Sequence, residues 1–196
     1  MVRTLSTMLA LGTPAPAFAL PDVTTGETIT LETFHDRAGL LVIFWCRHCP
    51  FVKHVEQELA RIGRDYAGTD AASLGIVAIS SNDAANYPDD SPASLAEMAV
   101  NLGLNFPSCY DETQKVAQAY TAACTPDFFL FDRDFKLVYR GQLDDSRPGN
   151  EIPVTGRDLR AAIEALLSGT AIDPNQQPSI GCNIKWRAGN APDYFG

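Results

Sequence analysis

Two cysteines three positions apart, Cys46 and Cys49 in the run Cys46-Arg47-His48-Cys49-Pro50, are the residues of this chain best placed to do chemistry. They stand where a continuous apolar run, Leu40 to Trp45, gives way to Val52, Val55, Leu59 and Ile62 at helical spacing. A strand that empties into a helix N-terminus exposes unpaired backbone N–H groups and the positive end of the helix dipole, and both favour a thiolate over a thiol. Pro50 suits such a start, because its missing N–H has no intrahelical partner in the first turn. A dithiol held there can exchange with disulfides: Cys46, at the turn and expected to be the more exposed, attacks, and Cys49, one step inward, resolves the mixed disulfide. The position should lower the Cys46 pKa from about 8.5 into the range of roughly 3.5 to 7.5. Trp45, Arg47 and His48 are the supporting neighbours, the last two adding positive or hydrogen-bonding character. The competing use of these thiols is a zinc half-site of Cys46, Cys49 and His54. A tetrahedral site wants a fourth ligand and a second closely spaced pair, which the sequence does not offer, so no metal is expected.

The elements around the dithiol follow from the pattern of apolar residues. Leu40 to Phe44 fits a strand covered on both faces, and Gly75 to Ser80 is a second, so a strand–helix–strand unit with parallel strands is expected. Ser81 to Pro92 is polar and reads as a surface loop, an insertion before a helix carrying Leu95, Met98, Ala99 and Leu102. A short helix from about Thr113 to Tyr120 comes next, then strands at Asp127–Phe131 and Lys136–Arg140 around a hairpin turn. The last helix, about Arg157 to Leu167, stops at Gly169. The order strand–helix–strand, strand–strand–helix is that of the thioredoxin fold. Residues 1–169 are therefore read as one α/β domain, a central mixed sheet flanked by helices, and 170–196 as an extended tail packed on it.

Composition narrows the class of function. The 196 residues are 45% hydrophobic, enough for one substantial core. A net charge of -9 with no basic runs argues against nucleic acid. No apolar stretch approaches the roughly 20 residues that span a bilayer. Five cysteines form an odd set, compatible with a reducing compartment in which one pair of thiols works. The N-terminal nineteen residues have two readings: a secretory signal, which would make the protein periplasmic, or a folded segment leading into a hairpin of Phe18–Val23 and Thr28–Leu31. The short apolar run and its prolines favour the hairpin, and with it a cytoplasmic protein.

Longer phrases carry a resemblance. Gly12 to Leu20 (GTPAPAFAL) resembles the opening of the peroxiredoxin, or AhpC/TSA, branch of the thioredoxin superfamily, and Cys46 to Val55 is similar to the active-site segment of its peroxiredoxin-like members. Tyr139-Arg140-Gly141-Gln142, Asp144-Asp145-Ser146-Arg147 and Ser179 to Trp186 resemble the same group. The resemblance implies a thioredoxin-like fold with an N-terminal β-hairpin and a thiol-based redox role. It also implies that Pro126 is cis and faces Cys46, with the Thr125 backbone free to pair with a substrate strand. One departure matters: the Pro-x-x-x-Thr/Ser-x-x-Cys of peroxide-reducing members is replaced by Gly39 and Ile43 at the same offsets from Cys46. The expected activity is thus thiol–disulfide exchange, with a thiol peroxidase using Cys46 as the alternative and a metal-binding or redox-sensing module as a third. No organic cofactor is expected. Electrons would come from an external thioredoxin- or glutathione-type reductant, the substrate would be a disulfide-bearing protein, a small disulfide or a peroxide, and a homodimer is compatible with the sequence. Cys124 and Cys182 are candidates for further redox partners, against buried or tail-docking roles; Cys109 has weaker grounds. Arg140 either assists a thiolate or peroxide or anchors a loop. Asp144, Asp145 and Arg147 are expected to fix their own loop by ion pairing, and His35 has no companion motif.

Overall fold

The computed structural model describes residues 3–194. In chain order these form β1 (Arg3–Leu5), β2 (Ala19–Pro21), β3 (Thr28–Thr30), β4 (Gly39–Phe44), α1 (Pro50–Tyr66), β5 (Leu74–Ser80), α2 (Pro92–Leu102), β6 (Ser108–Tyr110), α3 (Lys115–Ala119), β7 (Cys124–Thr125), β8 (Asp127–Asp132), β9 (Leu137–Tyr139), α4 (Arg157–Ser168) and β10 (Ile180–Asn183). A five-stranded sheet runs β6-β5-β4-β8-β9. β4 is parallel to β5 and antiparallel to β8, which makes the sheet mixed, as expected.

Every residue of β4 and β5 is buried, so both faces of the sheet need cover. Side chains alternate across a strand. Leu41, Ile43 and Trp45 therefore join Val52, Leu59, Leu159 and Ile163 of α1 and α4, while Leu40, Val42 and Phe44 join Leu20 and Ile29 of the N-terminal hairpin and Tyr120 beyond α3. Each such side chain stabilises by about 1.5–3 kcal/mol, so the two clusters fix the sheet and with it the end of β4 where the cysteines begin. Gly39 starts β4 because a Cβ there would lie 2.6 Å from both Leu166 Cδ2 and the Phe131 carbonyl oxygen. α4 ends where expected, on Gly169 in the left-handed region at φ +69°.

Three expectations change. The helix expected over Thr113 to Tyr120 is shorter, Lys115–Ala119. The Ser81–Pro92 segment is a surface loop only in its middle: residues 85–89 are exposed, but Ser81, Asn82, Asp83 and Asp90 are buried and their side chains make internal hydrogen bonds, which sequence polarity alone does not reveal. The tail does more than wrap the domain. Its strand β10 lies between β1 and β7, pairing Cys182 with Arg3 on one side and with Thr125 on the other. The N-terminal segment is likewise built in, with Ser6 Oγ donating to Asp127 Oδ1 at 2.7 Å. Among the described residues no helix is long and apolar enough to cross a membrane.

Candidate active site

β4 delivers the chain to the dithiol, and Trp45 prolongs its register by donating its N–H to the Ile79 carbonyl at 3.0 Å. Cys49 is the N-cap of α1 and Pro50 its first residue. Facing them is the turn between β7 and β8, whose Thr125–Pro126 bond is cis. Cys46 Sγ lies 3.2 Å from Thr125 Oγ1, and Cys49 Sγ lies 3.2 Å from the Thr125 carbonyl oxygen. β10 adds a third sulfur: Cys182 Sγ is hydrogen-bonded to Cys49 Sγ at 2.6 Å. Since Thr125 is paired with Cys182 in the strand ladder, the backbone edge expected to receive a substrate strand is filled by the chain's own tail.

The charge distribution among the sulfurs differs from expectation. Cys46 is not the more exposed thiol; Cys46 and Cys49 are both fully buried. Burial pushes the Cys46 thiol well above its ordinary value, its hydrogen bond with Cys49 and the Asp90 carboxylate raise it further, and the Thr125 hydroxyl opposes them. Cys49 is the sulfur on which the hydrogen bonds of Cys182 and Cys46 converge, and they hold its pKa well below the thiol range against the cost of burial, with help from the Val52 N–H. The Thr125 side chain lowers it as well, and the Thr125 carbonyl accepts from Cys49 Sγ when the thiol is protonated. The hydrogen bonds thus favour a thiolate on the helix-capping sulfur over one on Cys46. Cys182 is raised by its bond to Cys49 and by burial, with Lys185 acting the other way.

Asp90, in the segment taken for a loop, is the residue that the sequence did not reveal. Its Oδ1 accepts from the backbone N–H groups of Arg47 and His48 at 2.8 and 3.1 Å, and its Oδ2 from Asn82 Nδ2 at 2.8 Å and from the His48 ring. One buried carboxylate therefore holds the two residues between the cysteines. Burial alone would raise its pKa, but the bonds from His48 and Asn82 keep it below the usual carboxylate value. His48 stacks on Tyr87, with ring centroids 5.4 Å apart, and Arg47 turns away to Glu97 at 2.6 Å and the Ser94 carbonyl at 2.9 Å. The Asp90 charge beside Cys46 consequently offsets the positive character expected from these two side chains. No local pattern marks Asp90; the nearest signal is Ser91-Pro92, which caps α2 and fixes where the segment ends.

The remaining candidates are spread more widely. His54 is half-buried and hydrogen-bonds Ser146 Oγ at 2.7 Å, so it does not join the cysteines in the zinc half-site considered from sequence. The group that could hold a metal is instead Cys46, His48 and Asp90, whose donor atoms lie within 4.8 Å of one another; it is one ligand short of a tetrahedral set, and its carboxylate is already engaged by N–H donors. The Arg140 guanidinium donates to Thr7 Oγ1 at 2.5 Å and to the Thr121 carbonyl at 3.2 Å, 3.8 Å from Asp127, which anchors the N-terminal segment rather than serving Cys46. Cys124 is buried with its thiol toward the Pro126 carbonyl at 3.6 Å, and burial raises its pKa strongly. Cys109, pushed up to about 12 by burial and by Asp22, lies in the opposite core. Arg147 secures its loop through the carbonyls of Asp144 and Ser146 rather than by ion pairing, and Asp144 accepts from the backbone N–H groups of Thr155 and Gly156 just before α4.

A sequence profile of the AhpC/TSA family matches residues 11–140, about two thirds of the chain. The chain belongs to the AhpC/TSA family, a family of oxidoreductases. A curated relative, the thiol-disulfide oxidoreductase ResA of Bacillus thuringiensis (strain Al Hakam), is 26% identical over 130 residues, covering 66% of this chain and 68% of its own. A solved structure of an uncharacterized conserved protein from Geobacillus kaustophilus is 54% identical, with a TM-score of 0.91 over 95% of this chain and 97% of that one. The thioredoxin domain of a thiol-disulfide oxidoreductase from Bacteroides vulgatus shares the fold, with a TM-score of 0.58 at 20% identity over 81% of this chain and 99% of that one. The thioredoxin-like fold expected from the sequence is the fold observed.

Proposed function

We propose that this AhpC/TSA-family protein is a thiol–disulfide oxidoreductase working through Cys46 and Cys49. The observation that carries the reading is the placement of both sulfurs against the Thr125–Pro126 turn at the head of α1. The Cys46 proton passes to Cys49 along their hydrogen bond, and the Cys46 thiolate attacks one sulfur of the substrate disulfide. A Cys46–substrate bond forms, the substrate S–S bond breaks, and the departing thiolate takes the proton held by Cys49. Cys49 then attacks Cys46 Sγ, closing the Cys46–Cys49 disulfide and releasing the second substrate sulfur as its thiolate. A separate dithiol reductant of the thioredoxin or glutathione type resets the pair. With β10 on the Thr125 edge, the reading favours a small disulfide over an extended peptide added as a strand. The incorporation of residues 3–15 into the domain argues against cleavage near residue 19.

The peroxidase alternative has one feature in its favour, the Thr125 hydroxyl beside Cys46, which supplies from β7 the hydroxyl missing at Ile43. Arg140 is committed elsewhere, however, and Cys46 is the thiol hardest to ionise of the dithiol. Stopped-flow oxidation of the reduced protein by hydroxyethyl disulfide and by hydrogen peroxide decides between them. The disulfide is expected to react faster, Cys46→Ser to abolish turnover, and Cys49→Ser to accumulate mixed disulfides on Cys46. Oxidation by peroxide that outruns the disulfide by orders of magnitude overturns the reading.

A further inference from the structure

We propose that Cys182 is a third redox residue of this centre, which exchanges with the Cys46–Cys49 disulfide, takes Cys49 as its own partner and returns Cys46 to the reduced form. The inference rests on the thiol–disulfide reading above and deepens it. The Cys49 and Cys182 sulfurs are 2.6 Å apart, little more than half an ångström beyond the roughly 2.05 Å of a disulfide bond. The contact is built by the fold rather than by a flexible tail: β10 is held by β1 on one side and β7 on the other, with Cys182 in register with Thr125. Gly181 lets this strand approach, since a Cβ there would lie 2.0 Å from the Thr125 carbonyl oxygen. Ser179 Oγ ties the start of the strand to the Pro126 carbonyl at 2.7 Å. Cys182 therefore occupies the edge beside the cis-proline turn as a substrate cysteine would.

The step balances without an outside oxidant. The Cys182 thiolate attacks Cys49 Sγ; the Cys49–Cys182 bond forms, the Cys46–Cys49 bond breaks, and Cys46 leaves as the thiolate and takes up the proton that Cys182 gave up. The centre stays oxidised by two electrons throughout, as one disulfide and one thiol. The order of events follows from the electrostatics. While Cys49 is anionic it holds the Cys182 proton in place; once Cys49 is in a neutral disulfide that restraint is gone, and the Lys185 ammonium favours the Cys182 thiolate. Cys46 thus becomes available for a second substrate while the first oxidising equivalent is stored beneath the tail.

The test is to oxidise the reduced full-length protein with one equivalent of hydroxyethyl disulfide, quench in acid, cap free thiols with N-ethylmaleimide and map the unreduced tryptic peptides by mass spectrometry. Cleavage after Arg47 separates Cys46 from Cys49, so the two linkages are distinguishable. The expected products are Cys46–Cys49 and Cys49–Cys182, the second carrying a capped Cys46. Cys46→Ser, which lacks the attacking thiol, should give neither linkage, and Cys182→Ser should give Cys46–Cys49 alone. A wild-type protein that forms Cys46–Cys49 while Cys182 is capped in every species overturns this inference and leaves the dithiol reading standing. A protein that forms no Cys46–Cys49 linkage overturns the dithiol reading and the exchange built on it.

Discussion

Replacing Asp90 with asparagine removes the negative charge closest to Cys46 among the described carboxylates that act on it, and keeps the size of the side chain. The carboxylate oxygen lies within 4.8 Å of Cys46 Sγ, and at an effective dielectric of about 20 two unit charges at that separation repel by about 3 kcal/mol. The His48 ring and the Asn82 amide hydrogen-bond the same carboxylate, so only part of this, about half, reaches Cys46. About 1.5 kcal/mol is left, a factor of roughly ten in Cys46 ionisation at a fixed pH. The substitution also has a structural cost. The introduced side chain can still accept from the Arg47 and His48 N–H groups through its amide oxygen, but its NH2 group then confronts the Asn82 amide. Asn82 cannot flip freely, because its Oδ1 accepts from the Lys185 N–H at 2.8 Å. One buried donor is left unmatched, at about 2 kcal/mol, which for a chain of this size lowers Tm by about 4–8 °C. The assay is limiting iodoacetamide on the reduced protein, read as the ratio of Cys46 to Cys49 labelling in tryptic peptides, a ratio that cancels the opening both buried thiols share. Asp90→Asn should raise it about tenfold. A ratio that stays level or falls in a variant with native circular dichroism would mean that Asp90 only props the turn and does not set the charge on Cys46.

His48→Pro leaves Asp90 facing Cys46 without its ring partner, so the reduced form is less stabilised and the reduction potential should fall; about 30 mV corresponds to 1.4 kcal/mol, and a glutathione titration showing an equal or higher potential contradicts the role given to His48. Gly181→Ala forces β10 off Thr125, so native-state alkylation of Cys182 should quicken at least tenfold at a cost of about 1–3 kcal/mol in stability; unchanged labelling would show that the strand has room to spare. Asp90, with its folded pKa below the unfolded value of about 3.9, contributes stability that is fully present above that pH and is lost as pH falls through the folded pKa. Acid unfolding should accordingly be flatter for Asp90→Asn than for wild type over that window, and parallel curves would refute the assignment.

Residue types and periodicity were enough to place the dithiol. An apolar run of strand length, a Pro after the second cysteine and a helical repeat behind it can fold in few ways, so β4, α1, β5, α4 and the N-terminal hairpin stand close to where the pattern put them, and the cis-proline turn followed from the family resemblance. Those signals are local, read within one strand or a few turns. What decides the behaviour of the thiols is not local. Asp90 reaches the residues between the cysteines from 42 and 43 positions away, and Cys182 reaches Cys49 from 133. Polarity made the Asp90 segment look like solvent-facing loop, because a buried carboxylate matched by N–H donors has the same sequence as an exposed one. The tail looked structureless because β10 is four residues long and gains its hydrogen bonds from β1 and β7, which no periodicity within residues 170–194 could announce. Burial then reversed the expected order of the two thiols: the helix start favours a thiolate there, but only the packing of Asp90, Thr125 and Cys182 around the pair assigns that charge to Cys49.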